Sequence, residues 1–448
     1  MFVDFLIEVF QANAAEPALI WRDDAYTYAW LGDRVRHWSE ELARHRIQPG
    51  AVTILEGDFS PNAVALFLAL CERGCILVPL TSTVAAKKSE FIQIAQGEVA
   101  MAIDESDEVE FTSLGRRASH PLYDQLRRQN HPGLILFSSG STGQSKAALH
   151  DLTGLLEKFH VRRNKLRSIS FLLYDHIGGV NTMLYTLSNG GCLVTVDARS
   201  PDRVLAAVDR HGVELLPTSP TFLNLVLLSE AYKRFRLQTL KTITYGTEPM
   251  PESTLKRFHE LFPHIQLLQT YGLSEVGILR SKSRSSDSLW VKIGGEGFET
   301  RVVEGVLHIK ARSAMLGYLN APSPFTDDGW MNTGDAVEVD GEYLRILGRK
   351  SELINVGGEK VYPAEVETVL LEMDGVEDAA VYSEKNAILG QMVCARIKLK
   401  SPRPAAAFIT DLKKFCAGRL QPFKVPVRIQ LVETSLHSGR FKKMRRDG

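Results

Sequence analysis

Leu134-Ile-Leu-Phe137 runs directly into Ser138-Ser-Gly-Ser-Thr-Gly-Gln-Ser-Lys146. A short apolar run bounded by turn residues reads as a buried strand. The residues after it suit a ligand at the strand's carboxyl end. Gly140 and Gly143 let the backbone approach closely and aim successive N–H groups at one point. Ser138, Ser139, Ser141 and Thr142 add hydroxyls, and Lys146 adds a positive charge. A concavity of this kind suits phosphate. It is not the P-loop NTPase pattern, because two residues separate Gly143 from Lys146. Taken alone, a loop of this composition also reads as a flexible surface connection.

The segments around it alternate in character. Residues 51–55 are strand-like, 62–71 helix-like and 75–79 strand-like; a helical pattern over 204–210 stops at Gly212 before the apolar run 213–216. Repeated β and α units predict open, mostly parallel sheets covered by helices, with ligands at the carboxyl ends of strands. The pattern shifts near Gly294 to short, Gly-rich, strand-like pieces up to Leu347, which predict a β-rich subdomain. The polar stretch 281–288 reads as a surface loop. Pro363 then opens a helix with Val366, Val369, Leu370 and Met373 on one face. The fold class is therefore α/β. A large N-terminal domain of layered sheets with a β-rich subdomain, residues 1–348, precedes a small mobile α+β domain, residues 349–448.

Composition narrows the function classes. The chain has 448 residues, 44% hydrophobic and 24% charged, too long for one core and ordinary for a globular protein. Lys plus Arg and Asp plus Glu are both 53, so nothing global points to nucleic acid or an anionic membrane. Five cysteines without paired spacing argue against a disulfide framework. Cys71 and Cys75 read as core thiols rather than metal ligands. Residues 1–10 carry Asp4 and Glu8 and no basic region, so they read as an amphipathic helix, not a signal peptide. No apolar run is long enough to span a bilayer. The expected setting is soluble and cytoplasmic.

Three further motifs complete a constellation. In Gln269-Thr-Tyr-Gly-Leu-Ser-Glu275, an aromatic beside glycine can lie against a base, and a carboxylate nearby can hold Mg²⁺ on a triphosphate. In Asn332-Thr-Gly-Asp335, a carboxylate on a tight turn can accept both ribose hydroxyls. Each alone also reads as an ordinary turn. The last is Gly348-Arg349, followed by Leu353-Ile-Asn-Val-Gly-Gly-Glu-Lys360 and Pro363-Ala-Glu-Val-Glu367.

In this order the four motifs resemble those of the adenylate-forming (AMP-binding) superfamily, which includes acyl-CoA ligases, carrier-protein-loading adenylation domains and firefly luciferase. The resemblance runs from Tyr26-Thr-Tyr28 through Ile76-Leu-Val-Pro79 to Ser438-Gly-Arg-Phe-Lys442. It implies a ligase that uses ATP and Mg²⁺ to turn a small carboxylic acid into acyl-AMP, then passes the acyl group to the thiol of CoA. The phosphopantetheine of an acyl carrier protein, supplied in trans, is the alternative acceptor. A nucleotide-binding protein without turnover is the alternative of another class.

The same resemblance implies roles. The loop Ser138 to Lys146 would wrap the β and γ phosphates. Gly246-Thr247-Glu248 and Thr270-Tyr271-Gly272 would border the adenine. Ser274 would contact the α-phosphate, Glu275 would bind Mg²⁺, and Asp335 would hold the ribose with Arg349 beside it. Ser351 stands at the hinge, where aspartate or lysine is usual, and Gly357-Gly358 would line the pantetheine channel. His176, in Tyr174-Asp-His-Ile-Gly-Gly-Val-Asn181, resembles the gate of the acid pocket; a packed turn histidine is the other reading. Ile177 stands where amino-acid-activating members have an aspartate, which disfavours an amino-acid substrate, although Asp175 is close by. Two departures stand out. Ser145 replaces a usual proline. Arg440 replaces the C-terminal lysine expected to bridge carboxylate and α-phosphate, with Lys442 and Lys443 just beyond. Residues 411–448 hold ten Lys or Arg against three Asp or Glu, a solvated face or a dock for an anionic acceptor. Arg162, Arg163, Lys165 and Arg167 read as a solvated helix.

Overall fold

Three of the helices start on serine followed by proline. Ser60, Ser200 and Ser219 precede Pro61, Pro201 and Pro220. Each hydroxyl accepts from the backbone N–H three residues on, at 3.2 Å (Ala63), 3.4 Å (Arg203) and 3.2 Å (Phe222). Proline at the first helical position loses nothing, because that N–H has no intrahelical partner. Helix Pro201–His211 ends at Gly212, whose φ of +62° supplies the left-handed cap. The computed structural model describes residues 2–139, 145–386, 388–438 and 443–445.

Two seven-stranded sheets form the bulk of the first part of the chain. One runs Gln266–Gln269, Thr242–Tyr245, Leu215–Thr218, Arg167–Ile169, Cys192–Val194, Pro17–Trp21, Asp24–Thr27. All its pairings are parallel except the last. The other runs Gly317–Tyr318, Ser145–Asp151, Gly133–Ser139, Ile76–Leu80, Val52–Glu56, Val99–Ile103, Val109–Ser113, parallel in its centre and antiparallel towards both edges. Helix Pro61–Glu72 is apolar nearly all round and buried from Pro61 through Cys71. A helix of that kind belongs between layers. It joins Leu19 and Leu193 of one sheet and Leu55, Leu77 and Leu134 of the other in a single apolar cluster.

A six-stranded antiparallel sheet follows, from Arg280–Ser283 to Tyr343–Arg349. It begins earlier than the composition shift at Gly294. The stretch 281–288, expected as a loop, opens in a polar strand paired with Trp290–Gly294; an edge strand with one face in water needs little apolar content. After the single 3₁₀ turn Lys350–Glu352, a five-stranded sheet and helices Pro363–Leu371 and Ala405–Ala417 enclose a separate core of Val366, Leu370, Val381, Phe408 and Leu412. The basic cluster Arg162 to Arg167 is not a helix. Residues 162–166 are extended loop, with Arg162 donating to the Ser188 carbonyl and Lys165 paired to Glu16 at 2.5 Å. All five cysteines are buried free thiols. Among the described residues no helix is long and apolar enough to cross a membrane.

Candidate functional site

Four of the singled-out segments emerge where strands end. Strand Thr242–Tyr245 delivers Gly246, strand Gln266–Gln269 delivers Thr270, and the two strands are parallel neighbours in register. Their ends touch: a Cβ on Gly246 would lie 2.8 Å from both the Thr270 carbonyl and hydroxyl oxygens. Only glycine permits that approach. Thr247, next in line, has φ +74°. A β-branched residue rarely adopts that conformation, and such strain persists where the surroundings impose it, often at functional sites. Glu248 is fixed at both oxygens. Oε1 accepts from the Thr221 N–H at 2.8 Å, and Oε2 accepts from the Lys443 N–H at 3.0 Å.

Beside this lies a buried polar corner. The Tyr271 hydroxyl donates to Asp335 Oδ2, and Arg349 Nε sits 2.9 Å from Asp335 Oδ1. Arg349 also donates to the Thr333 carbonyl at 2.6 Å, and the Thr333 hydroxyl accepts from the Asp335 N–H at 3.0 Å. Asn332 to Asp335 is not the tight turn expected: it lies inside strand Met331–Asp340, where Gly334, φ +73°, sits at the irregularity that shifts the register against Val306–Ala311. Burial pushes the Asp335 carboxyl up, opposed chiefly by the Arg349 guanidinium. Burial and the nearby carboxylate push the Tyr271 phenol well above its ordinary value, so it remains a donor. The corner is thus an aromatic face edged by a carboxylate whose remaining lone pairs suit a diol.

Four residues on from Tyr271, the half-buried Glu275 accepts from the Tyr318 hydroxyl at 2.5 Å. Lys146 Nζ stands 5.1 Å from the centre of the Tyr318 ring. Ser274 turns its carbonyl onto His150 Nε2 at 2.5 Å; His150 is fully buried, and burial pushes its pKa down. Among the described residues no group of three His, Cys, Asp or Glu side chains is placed to hold a metal ion. A lone carboxylate near a lysine is unfit for an all-protein metal cage. It does fit Mg²⁺, which keeps several waters and binds one or two carboxylates plus substrate phosphates.

The remaining candidates lie apart. His176 caps helix Ile177–Ser188, its Nδ1 accepting from the Gly178 N–H at 3.0 Å. The next glycine is compulsory, since a Cβ on Gly179 would lie 2.0 Å from the Leu173 carbonyl oxygen. Asp175 is buried and bonded to Thr81, 3.0 Å from its hydroxyl and 3.4 Å from its N–H. Gly357 and Gly358, φ +61° and +98°, form the turn between strands Ile354–Val356 and Glu359–Val361, where the Gly357 N–H donates to the Leu389 carbonyl at 2.9 Å. Ser351 is exposed in the connecting 3₁₀ turn. Residues 140–144, with Gly140, Ser141, Thr142 and Gly143, lie outside the described residues, as do Arg440 and Lys442. Just beyond those two, Lys443 Nζ is ion-paired to Asp378, and Arg445 bridges Glu352 and Glu367. Thr221, His150, Tyr318 and Asn320 belong to the site and carry no motif in the sequence.

Residues 8–319 match the AMP-binding enzyme family, and residues 365–442 match the AMP-binding enzyme C-terminal domain. The chain belongs to the AMP-binding enzyme family. A methyl-dioxo-octahydro-indenyl-propanoyl:CoA ligase of Rhodococcus jostii (strain RHA1) is 26% identical over 317 residues, 67% of this chain but only 61% of that enzyme. A 2-succinylbenzoate–CoA ligase of Bacillus subtilis (strain 168) is 24% identical over 96% of this chain and 94% of its own length. A solved o-succinylbenzoate coenzyme A synthetase from B. subtilis, in complex with ATP and magnesium ion, superposes with a TM-score of 0.76 at 22% identity, over 98% of each chain. An anthranilate CoA ligase bound to anthranoyl-AMP superposes with a TM-score of 0.81 at 18% identity, covering 99% of this chain and 95% of the other.

Proposed function

We infer that the chain activates a carboxylic acid with ATP and passes the acyl group to the thiol of CoA. One observation carries the reading: Tyr271, Asp335 and Arg349 form a buried corner shaped for adenosine, and Glu275 follows on the same turn within reach of Lys146 through Tyr318. A base, a ribose and a charged triphosphate have their counterparts there in the right order. In the first half-reaction a carboxylate oxygen attacks the α-phosphorus, and the bond to the pyrophosphate leaving group breaks. In the second, the thiol sulfur attacks the acyl carbon, the C–O bond to AMP breaks, and the thiol proton leaves to solvent.

The residues act by position and charge. Tyr271 presents the face for adenine, with Gly246, Thr247 and Glu248 at its edge. Asp335 accepts from the ribose, with Arg349 holding it in place. Lys146 and the loop from Ser138 bind the outer phosphates, and Ser274 faces the α-phosphate. Glu275 would hold Mg²⁺, which neutralises charge on the triphosphate when bound. Arg440 or Lys442 stabilises charge developing at the α-phosphate. Residues 349–448 turn about Ser351 between the half-reactions, bringing the Gly357-Gly358 turn to the pantetheine path.

Asp175 is buried with its Oδ2 engaged by Thr81, and Ile177 stands where amino-acid-activating members carry an aspartate. Aryl and fatty acids are therefore favoured over amino acids. CoA is taken as acceptor over a carrier protein in trans because the matched relatives are named CoA ligases. The buried free thiols suit a reducing, cytoplasmic setting.

The test is carboxylate-dependent exchange of labelled pyrophosphate into ATP, screened over aryl, fatty and hydroxy acids, then detection of the CoA thioester by mass spectrometry. Exchange with one acid class and thioester on adding CoA is expected. No exchange with any acid, despite ATP binding, would replace this reading with nucleotide binding without turnover. Exchange with no thioester until a phosphopantetheinylated carrier is supplied would move the acceptor to the carrier.

A further inference from the structure

Lys146 and Glu275 are 129 positions apart in the chain, on different elements, yet a shared triphosphate would require a fixed distance between them. One short segment, residues 313–320, touches both. It begins on the Glu275 turn: the Ser313 hydroxyl donates to the Val276 carbonyl at 2.8 Å, and the Met315 N–H donates to the Glu275 carbonyl at 2.8 Å. It then becomes the edge strand Gly317–Tyr318, antiparallel to Ser145–Asp151 with Tyr318 opposite Ala148. Backbone bonds hold it there at both ends: the Leu316 N–H donates to the Leu149 carbonyl at 2.8 Å, and the Leu319 N–H to the Ala147 carbonyl at 2.9 Å.

Two side chains of this segment reach further. In an antiparallel pair, residues i and i+2 share a face, so Lys146 shares the face of Ala148 and lies diagonal to Tyr318. That places Lys146 Nζ 5.1 Å from the ring centre, within cation–π range. From the same ring the hydroxyl donates to Glu275 Oε1 at 2.5 Å. Tyr318 is 8% exposed, so its ring has little freedom to move away. Asn320 does the complementary work on the backbone. Its Oδ1 accepts from the Ala147 N–H at 3.0 Å, and its Nδ2 donates to the Ser145 carbonyl at 2.9 Å. These two groups flank Lys146, and among the described residues no backbone strand partner continues past Leu319 to take them. On the other side Lys146 is paired in register with Ser138. The primary amide therefore substitutes for a strand and fixes the backbone at the point from which the lysine projects.

We propose that Tyr318 and Asn320 are positioning residues that set the placement of Glu275 and Lys146 toward the ATP triphosphate. Tyr318 orients the carboxylate through its hydroxyl, and Asn320 fixes the strand that carries the lysine. The assignment rests on the functional reading above and adds to it the residues that hold its two charged groups in place.

The test is equilibrium binding of ATP to the full chain by calorimetry, with magnesium chloride or with EDTA, for wild type, Tyr318→Phe and Asn320→Ala. Melting temperatures are measured alongside. Tyr318→Phe keeps the ring and deletes only the hydroxyl. It is expected to weaken ATP binding by roughly 10- to 100-fold in magnesium, the usual worth of a hydrogen bond to a charged group, and to leave binding in EDTA unchanged. The magnesium concentration for half-maximal ATP binding should rise in parallel. Asn320→Ala is expected to weaken binding in magnesium and in EDTA by the same factor, because the lysine acts on phosphate directly. Asn320→Asp keeps the acceptor for Ala147 but opposes the Ser145 carbonyl, and should not restore affinity. If wild type binds MgATP and Tyr318→Phe matches it at every magnesium concentration, the assignment fails while the functional reading stands. Equal loss in both conditions with a fall in melting temperature would make Tyr318 a packing residue and overturn the assignment too. A wild-type chain that binds no ATP overturns both.

Discussion

Replacing Arg445 by alanine takes one cation out of a buried cluster and leaves an anion behind. The guanidinium holds Glu367 with two bonds, 2.9 Å from Nε to Oε1 and 2.7 Å from Nη2 to Oε2, and holds Glu352 with Nη1 at 2.9 Å. Glu367 is 3% exposed, inside helix Pro363–Leu371; besides Arg445 it accepts from the Val381 N–H at 2.9 Å. Removing one partner of a buried pair costs about 3–5 kcal/mol, because the other charge loses its partner and gains no water. The Glu352 arm adds little, since that carboxylate is partly in solvent. For a unit of about 100 residues each kcal/mol moves the melting point by about 4–8 °C, so a loss of at least ~12 °C is expected in the transition of the C-terminal part. The pH dependence fixes the cause. In the native protein burial raises the Glu367 pKa, but Arg445 outweighs it and the net shift is downward. A depressed carboxylate contributes stability above its unfolded value of about 4.3, and that contribution is lost as pH falls through the folded value. In Arg445→Ala burial acts with less opposition, so Glu367 takes up a proton more readily and its cost disappears on acidification. The gap between wild type and variant is therefore widest near neutral pH and narrows toward pH ~4.3. Scanning calorimetry across pH, with hydrogen exchange at Val381 as the local probe, measures it. Adding Glu367→Gln to the variant should recover a large part of the loss at pH 7. A gap that does not change with pH, or no recovery in the double variant, would refute the buried-charge account and leave lost packing as the cause.

Glu275→Gln should abolish acyl-AMP formation at saturating Mg²⁺ while the fold survives, because the amide oxygen still accepts from Tyr318 but supplies no charge to a hard cation; near-normal single-turnover rates would remove Glu275 from the site. Ser351→Pro, in the 3₁₀ turn Lys350–Glu352, fixes φ at the connection and should leave acyl-AMP formation intact while slowing transfer to CoA. Equal loss of both half-reactions would place the pivot elsewhere. Arg440→Ala should slow adenylation by on the order of 10²-fold, the usual effect of removing one preorganised donor, with little change in thioester formation from supplied acyl-AMP. Arg440→Lys should retain or raise activity, and loss in Lys442→Ala with none in Arg440→Ala would shift the role to Lys442.

The parts of this protein that are legible in its sequence are those governed by local rules. Serine–proline starts, the glycine stop at Gly212, the all-round apolar helix Pro61–Glu72 and the strand before Ser138 each follow from a few adjacent residues, and the layered α/β class follows from their alternation. The Tyr271–Asp335–Arg349 corner is legible for another reason: each member sits in a recognisable motif. The residues that connect those motifs through space are not legible in the same way. Tyr318 lies on, and Asn320 just beyond, an edge strand whose partner is about 170 residues earlier, His150 receives a carbonyl 124 residues away, and Thr221 contributes its backbone N–H, to which any residue but proline is equivalent. The basic C-terminus shows the same limit and how geometry lifts it. By composition Lys443 is one more cation beside Arg440 and Lys442. Its Nζ is paired to Asp378, with both side chains 9% exposed, and its N–H is bound to Glu248. A buried, paired ammonium is not available to a phosphate without giving up that pair, so Lys443 is an anchor. Arg445 is an anchor by the same argument. That leaves Arg440 and Lys442, between Ser438 and this anchor, as the cations whose variants test the proposed role at the α-phosphate. Of these, arginine keeps its charge in any surroundings and can present two parallel donors to phosphate oxygens, which lysine cannot.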